Sequence, residues 1–144
     1  MYAEATQSDA KKVGIKINLK NVDYNVLDGI GVRGEYDLLI SNILTEQAGD
    51  PEVFVNQYWK TNVDGSNPQN GSGYSNPEYD ALSDQLASEF DPAKRRDIII
   101  KMEKIVQDDA ATLIFGYPQT NMVSNKSVQN ANIYPCDYYW VTKD

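Results

Sequence analysis

At Asp50-Pro51, Asn76-Pro77 and Asp91-Pro92 the chain sets a proline directly behind a side chain that can cap a helix, each time ahead of apolar residues. A carboxylate or carboxamide oxygen accepts from the free amides of a first turn, and proline fits that turn because it has no N–H to lose. The centre of the chain is therefore committed to three helix starts. Glu78 adds negative charge in one first turn, where the helix dipole favours it. Apolar residues then recur at helical spacing: Tyr79, Leu82, Leu86 and Phe90 after Pro77, and Ile98, Met102, Ile105, Val106 and Ala110 after Pro92, the latter helix reaching about Asp109. The helix opened by Asp50-Pro51 runs through Phe54 towards Tyr58 and Trp59.

The flanking segments read differently. Residues 2–13 suit an amphipathic helix with Tyr2, Ala5 or Thr6, Ala10 and Val13 on one side and Gly14 as its stop. Ile15-Lys-Ile-Asn-Leu-Lys20 alternates strictly, as a half-buried strand does. Asp23 caps a short helix with Leu27 and Ile30 inward, which the glycines at 29, 31 and 34 weaken and end. Asp37-Leu-Leu-Ile-Ser-Asn42 is apolar on consecutive positions and predicts a central strand. Thr112-Leu-Ile-Phe-Gly-Tyr117 predicts a third, broken at Pro118 and resumed at Asn121-Met-Val-Ser124. Residues 60–73 are surface loop by composition, and the tail is aromatic without a period. The order predicts one α/β lobe over residues 1–144, a mostly parallel sheet flanked by helices.

Composition removes whole classes of function. A net charge of −8 opposes a nucleic-acid partner, and Lys94-Arg95-Arg96 reads as a solvated helix face. The chain has no histidine and one cysteine, Cys136, so it holds no Ser-His-Asp or Cys-His machinery, no internal disulfide and no Cys-rich metal site. Asp108 and Asp109 are neighbours on a helix and diverge by about 100°. Gly29-Ile-Gly31-Val-Arg-Gly34 spells a phosphate-loop pattern but precedes a strand instead of following one. With these groups missing we expect no enzyme, no resident cofactor and no metal site. A receiver-like signalling domain, suggested by Tyr36-Asp-Leu-Leu-Ile40, would need a phosphorylatable side chain where Asn42 stands. Residues 2–13 read as the middle of an architecture, so a segment of a longer protein is expected, its export signal elsewhere.

Ligands of open α/β sheets bind beyond the carboxyl ends of the strands. That rule singles out Asn42, Thr45, Glu46 and Gln47 after the second strand, with Asp50 as a cap for the next helix. Tyr117, Gln119 and Thr120, where proline interrupts the third strand, are the other candidates. Trp59, Tyr74, Trp140 and the tail tyrosines suit core or lobe contact.

Several motifs, taken in order, resemble the C-terminal lobe of extracytoplasmic solute-binding proteins, family 5, the oligopeptide, dipeptide and nickel type. They are Val13-Gly-Ile-Lys-Ile-Asn-Leu-Lys20, Gly34-Glu-Tyr-Asp-Leu-Leu-Ile40, Gly49-Asp-Pro51, Tyr74-Ser-Asn-Pro-Glu-Tyr-Asp-Ala-Leu82, Asp91-Pro-Ala-Lys-Arg95 with Met102-Glu-Lys-Ile-Val106, and Asp109-Ala-Ala-Thr-Leu-Ile114. The resemblance implies a lobe of a two-lobe, class C periplasmic-binding-protein fold that closes over its ligand. It implies as partners an N-terminal lobe of the same protein and the membrane subunits of an ABC importer, and a periplasmic or surface-lipoprotein location. It implies a peptide ligand or a nickel or other metal chelate. Peptide-binding members carry an acidic residue three positions before the Asp-Pro aspartate. Gln47 stands there, with Glu46 beside it. The wording Leu44-Thr45 to Gly49-Asp-Pro51 is closer to the chelate binders.

Overall fold

The structure is a computed structural model that describes residues 2–43, 50–117, 119, 121 and 123–128. Five helices follow one another: α1 (Tyr2–Lys12), α2 (Tyr24–Arg33), α3 (Glu52–Trp59), α4 (Pro77–Ser88) and α5 (Pro92–Asp108). All three cap-plus-proline starts form. Asn76 accepts from the Glu78 and Tyr79 amides, and Asp91 from Ala93 and Lys94. At α3 the N-cap position itself is Pro51, while Asp50 Oδ1 accepts the Glu52 amide at 2.9 Å. Asp23 accepts from the Asn25 amide to start α2.

The chain divides into two compact units, residues 1–113 and residues 114–144. In the first, α3, α4 and α5 pack on one another, whereas α1 and α2 pack on no other helix. The core is the seam of those three: Val55 from α3, Tyr79 and Leu86 from α4, and Ile98, Ile99, Met102 and Val106 from α5. Phe54, Trp59, Tyr74, Leu82, Ile105 and Ala111 pack against it. Tyr79 is fully enclosed and donates its hydroxyl proton to the Val55 carbonyl at 2.7 Å, so its one polar group is satisfied within the apolar seam. Phe90 departs from the expected stripe: α4 ends at Ser88, and the ring lies in the linker to α5, 86% exposed. Ala110 departs too, since α5 closes at Asp108 and Ala110 turns left-handed at φ 51°.

Helices α1 and α2 bury no residue, and Val13, expected inward, is exposed. The glycine stops behave as expected, Gly14 at φ 84° and Gly34 at φ 65°. Gly34 has a second reason to be glycine, and Gly71 has one of the same kind. The 60–73 loop lays Gly71 against the backbone of α2, where a Cβ would collide with the Gly31 carbonyl. A Cβ on Gly34 would stand 2.6 Å from the Gly71 carbonyl oxygen.

The parallel sheet is not confirmed: among the described residues no strand forms. Among the described residues, segments 15–20 and 37–42 make no ladder hydrogen bonds, and Ile15, Leu19, Leu38, Ile40 and Leu113 are exposed. Alternation makes a segment eligible for a sheet, but a ladder needs a neighbouring backbone. The second unit, in its described residues, has a turn closed by the Val128 amide on the Asn125 carbonyl.

Because Met102 is fully buried in the seam of α3, α4 and α5, Met102→Ala should cost about 2–5 kcal/mol in urea unfolding. Half-exposed Ile100→Ala on the same helix should stay within about 0.5 kcal/mol.

Candidate functional site

The segment from Tyr74 to Asp80 fixes the framework on which any site rests. Tyr74 donates its hydroxyl to Asp109 Oδ2 at 2.6 Å, and the Asn76 side-chain amide donates to the same oxygen at 2.8 Å. Asn76 therefore caps α4 with one end and holds the end of α5 with the other. Asp80 accepts from the Thr61 amide at 2.9 Å and the Thr61 hydroxyl at 2.6 Å, joining the end of α3 to α4. The Tyr74 and Tyr79 rings meet edge to face, with centroids 6.1 Å apart.

These contacts move protonation equilibria. Desolvation, then the bond to Asp109, pushes the Tyr74 phenol up to about 12. Desolvation raises Tyr79 further. Asp109 is held below its ordinary value, first by the Tyr74 hydroxyl and then by Asn76.

A second junction forms at Arg95. Its guanidinium donates to Asp50 Oδ2 at 2.8 Å, Glu52 Oε2 at 2.7 Å, the Leu86 carbonyl at 2.9 Å and the Glu89 carbonyl at 2.7 Å. The side chain is 17% exposed, so it is no solvated face. Glu52 above all, with Asp50, raises its pKa further against desolvation. The expected open basic trio is thus two exposed residues, Lys94 and Arg96, around a clamp. Asp50 and Glu52, acidic residues on either side of a proline, were the available signal for a distant arginine.

Of the expected ligand residues, Asn42 is exposed in an irregular segment, and Thr45, Glu46 and Gln47 lie outside the described residues. Tyr117 is 82% exposed. Gln119 is exposed and accepts from the Asn121 side chain at its carbonyl, 3.4 Å, while Thr120 lies outside the described residues. Cys136 and Trp140 also lie outside them. Two open grooves do appear in the first unit. One, of about 770 Å³, is lined by Pro51, Phe90, Pro92, Arg95, Ile99 and their neighbours. The other, of about 520 Å³, lies between α3 and the 60–73 loop, with Val53, Asn56, Gln57, Lys60 and Asn67 on its walls. Asn42, Tyr117 and Gln119 line neither. Among the described residues no cluster of three potential metal ligands occurs, and no described helix is long and apolar enough to cross a membrane.

The two junctions bring separate sequence motifs into contact: Asp50-Pro51 meets Arg95, and Tyr74 and Asn76 meet Asp109. No family model matches the chain. Individual proteins do. The probable D,D-dipeptide-binding periplasmic protein DdpA of Escherichia coli K12 is 33% identical over 128 residues, covering 88% of this chain and 24% of that protein. The nickel-binding protein NikA of Staphylococcus aureus is 30% identical over 139 residues, covering 96% of this chain and 27% of that protein. The dipeptide-binding protein DppE of Bacillus subtilis is 26% identical over 147 residues, covering 99% and 26%. Its homologues are family 5 solute-binding proteins. The crystal structure of Staphylococcus aureus NikA in complex with Ni(L-His)2 superimposes with a TM-score of 0.65 at 30% identity, over 75% of this chain and 22% of that one. The fold likeness is therefore to a periplasmic-binding protein. The chain spans about a quarter of the length of these relatives, and all three are named as binding proteins.

The raised Tyr74 pKa sets the sign of a pH effect: its stabilisation is complete below the ordinary value of 10 and lost as pH rises through about 12. The urea midpoint should fall between about pH 10 and about pH 12. Tyr74→Phe should lower the neutral midpoint and flatten that fall, leaving the part due to Tyr79. Arg95→Ala should lower the neutral midpoint well below that of exposed Arg96→Ala, and Arg95→Lys should recover only part of the difference, because an ammonium lacks the planar fork.

Proposed function

We propose that the chain is part of a ligand-capturing lobe of an extracytoplasmic solute receptor, which binds an oligopeptide or dipeptide in a cleft between two lobes and delivers it to an ABC importer. The observation that carries this reading is the contact between the family motifs, Asp50-Pro51 on Arg95 and Tyr74-Ser-Asn76 on Asp109, in a chain whose homologues are solute-binding proteins. In this reading residues 1–144 form one lobe with a mostly parallel sheet. The exposed Ile15, Leu19, Leu38 and Ile40 are strand residues that partner backbone from the remainder of a longer protein would cover. Thr45, Glu46 and Gln47 grip the ligand from the loop that leads into Asp50, and Asn42, Tyr117, Gln119 and Thr120 contribute polar and aromatic groups. The receptor is periplasmic or tethered to the cell surface as a lipoprotein.

A nickel or metal chelate is the second ligand class, favoured by the likeness in fold and sequence to a protein crystallised with Ni(L-His)2. Such a chelate would bring its own metal ligands, which suits a chain without histidine.

Closure over a ligand divides its contacts between two lobes, so this chain alone should bind weakly. Isothermal titration with a dipeptide mixture, and separately with nickel plus histidine, should give dissociation constants at or above about 1 mM. Micromolar or tighter binding by this chain alone would contradict the shared cleft. A photoreactive dipeptide should label residues 45–47, and labelling confined to α4 or α5 would remove the loop from the site.

A further inference from the structure

The loop that follows α3 contains the chain's one Asn-Gly pair, Asn70-Gly71. Asparagine before glycine is the most labile amide setting in a protein, because no side chain shields the next backbone nitrogen. Asparagine is counted among the thermolabile residues for this kind of chemistry. Here the labile side chain is 3% exposed and fully engaged. Its Nδ2 donates to the Lys60 carbonyl at 2.9 Å and the Tyr74 carbonyl at 2.8 Å, and its Oδ1 accepts from the Ser72 hydroxyl at 2.8 Å. Gly71 is fixed as well, wedged against the Gly31 carbonyl and the Val32 backbone of α2. Asn67 adds a parallel clasp, donating to the Asn56 carbonyl at 2.9 Å and the Lys60 carbonyl at 2.7 Å.

We propose that Asn70 is a conformationally gated self-modification site: it stays an amide while the loop is clasped and deamidates when the loop opens. In the step, the Gly71 amide nitrogen gives its proton to a base in solution and attacks Asn70 Cγ. The N–Cγ bond forms, the Cγ–Nδ2 bond breaks, and Nδ2 takes up a proton and leaves as ammonia. Water then opens the succinimide at either carbonyl, giving aspartate or isoaspartate. Departure of Nδ2 as ammonia requires both its hydrogen bonds, to the Lys60 and Tyr74 carbonyls, to break. The rate therefore follows the population of the open loop. The product does not restore the clasp. A carboxylate at 70 has no donor for the Lys60 and Tyr74 carbonyls and sets anion against acceptor in a buried site. Conversion thus unlocks the joint between α2, the end of α3 and the start of α4 irreversibly.

The folded chain and the same chain in urea are incubated at mildly alkaline pH, and the peptide containing Asn70 is followed by mass spectrometry and by enzymatic isoaspartate detection. Conversion in the folded chain should be at least about tenfold slower than in urea, and a smaller ratio would overturn the gating. Ser72→Ala, which removes the acceptor's partner, should speed conversion of the folded chain, and an unchanged rate would count against the clasp. Asn70→Asp should melt at a lower temperature than the parent, and an equal melting temperature would refute the unlocking.

Discussion

Tyr79 has to be buried, because its ring fills the seam of three helices, and its hydroxyl has to be satisfied there, because an unpaired phenol would cancel part of what the ring gains. The Val55 carbonyl in the middle of α3 meets that need. One residue thereby sets the distance between α3 and α4. Tyr74, Asn76 and Asp80 around it then reach Asp109 and Thr61, fixing the end of α5 and the exit from α3. A short stretch of sequence thus supplies a helix cap, a core ring and three ties to other elements. Interactions of these kinds are individually modest, but they share the same few residues, so the framework closes as a unit.

Much of this was legible in advance. The three proline starts, the glycine stops of α1 and α2, and the inward face of α5 follow from local rules, since capping and helical periodicity need only neighbours within a turn or two. Phe90 shows the limit of that logic: helical spacing continued past Ser88, but the Asp91-Pro92 start required the chain to leave the helix before it. Arg95 shows another limit. A run of three basic residues looks like a charged face, and only the folded chain brings Asp50 and Glu52, more than forty positions away, to the middle one. The 60–73 loop was recognisable by composition, but not the order within it, which depends on asparagine side chains finding carbonyls from distant turns.

The strands were the least secure reading for a physical reason. A helix satisfies its own backbone, whereas a strand borrows hydrogen bonds from a neighbour. Alternation in Ile15 to Lys20 and the apolar run at Leu38 to Ile40 describe which faces want cover. They do not supply the cover. The expected ligand residues rest on topology and resemblance alone. Asn42, Tyr117 and Gln119 are displayed to solvent without a polar network around them in the described residues, which distinguishes them from the tied motif residues.

Arg95 has a consequence for how such a protein varies. It bolts Asp50, the residue at which the 44–49 stretch hands over to α3, onto a helix whose own start is anchored separately. Letters ahead of that bolt can change in charge and size without dragging the helices along. A change ahead of Asp50 thus meets one guanidinium, tied at once to two carboxylates and two backbone carbonyls, before it reaches the helices.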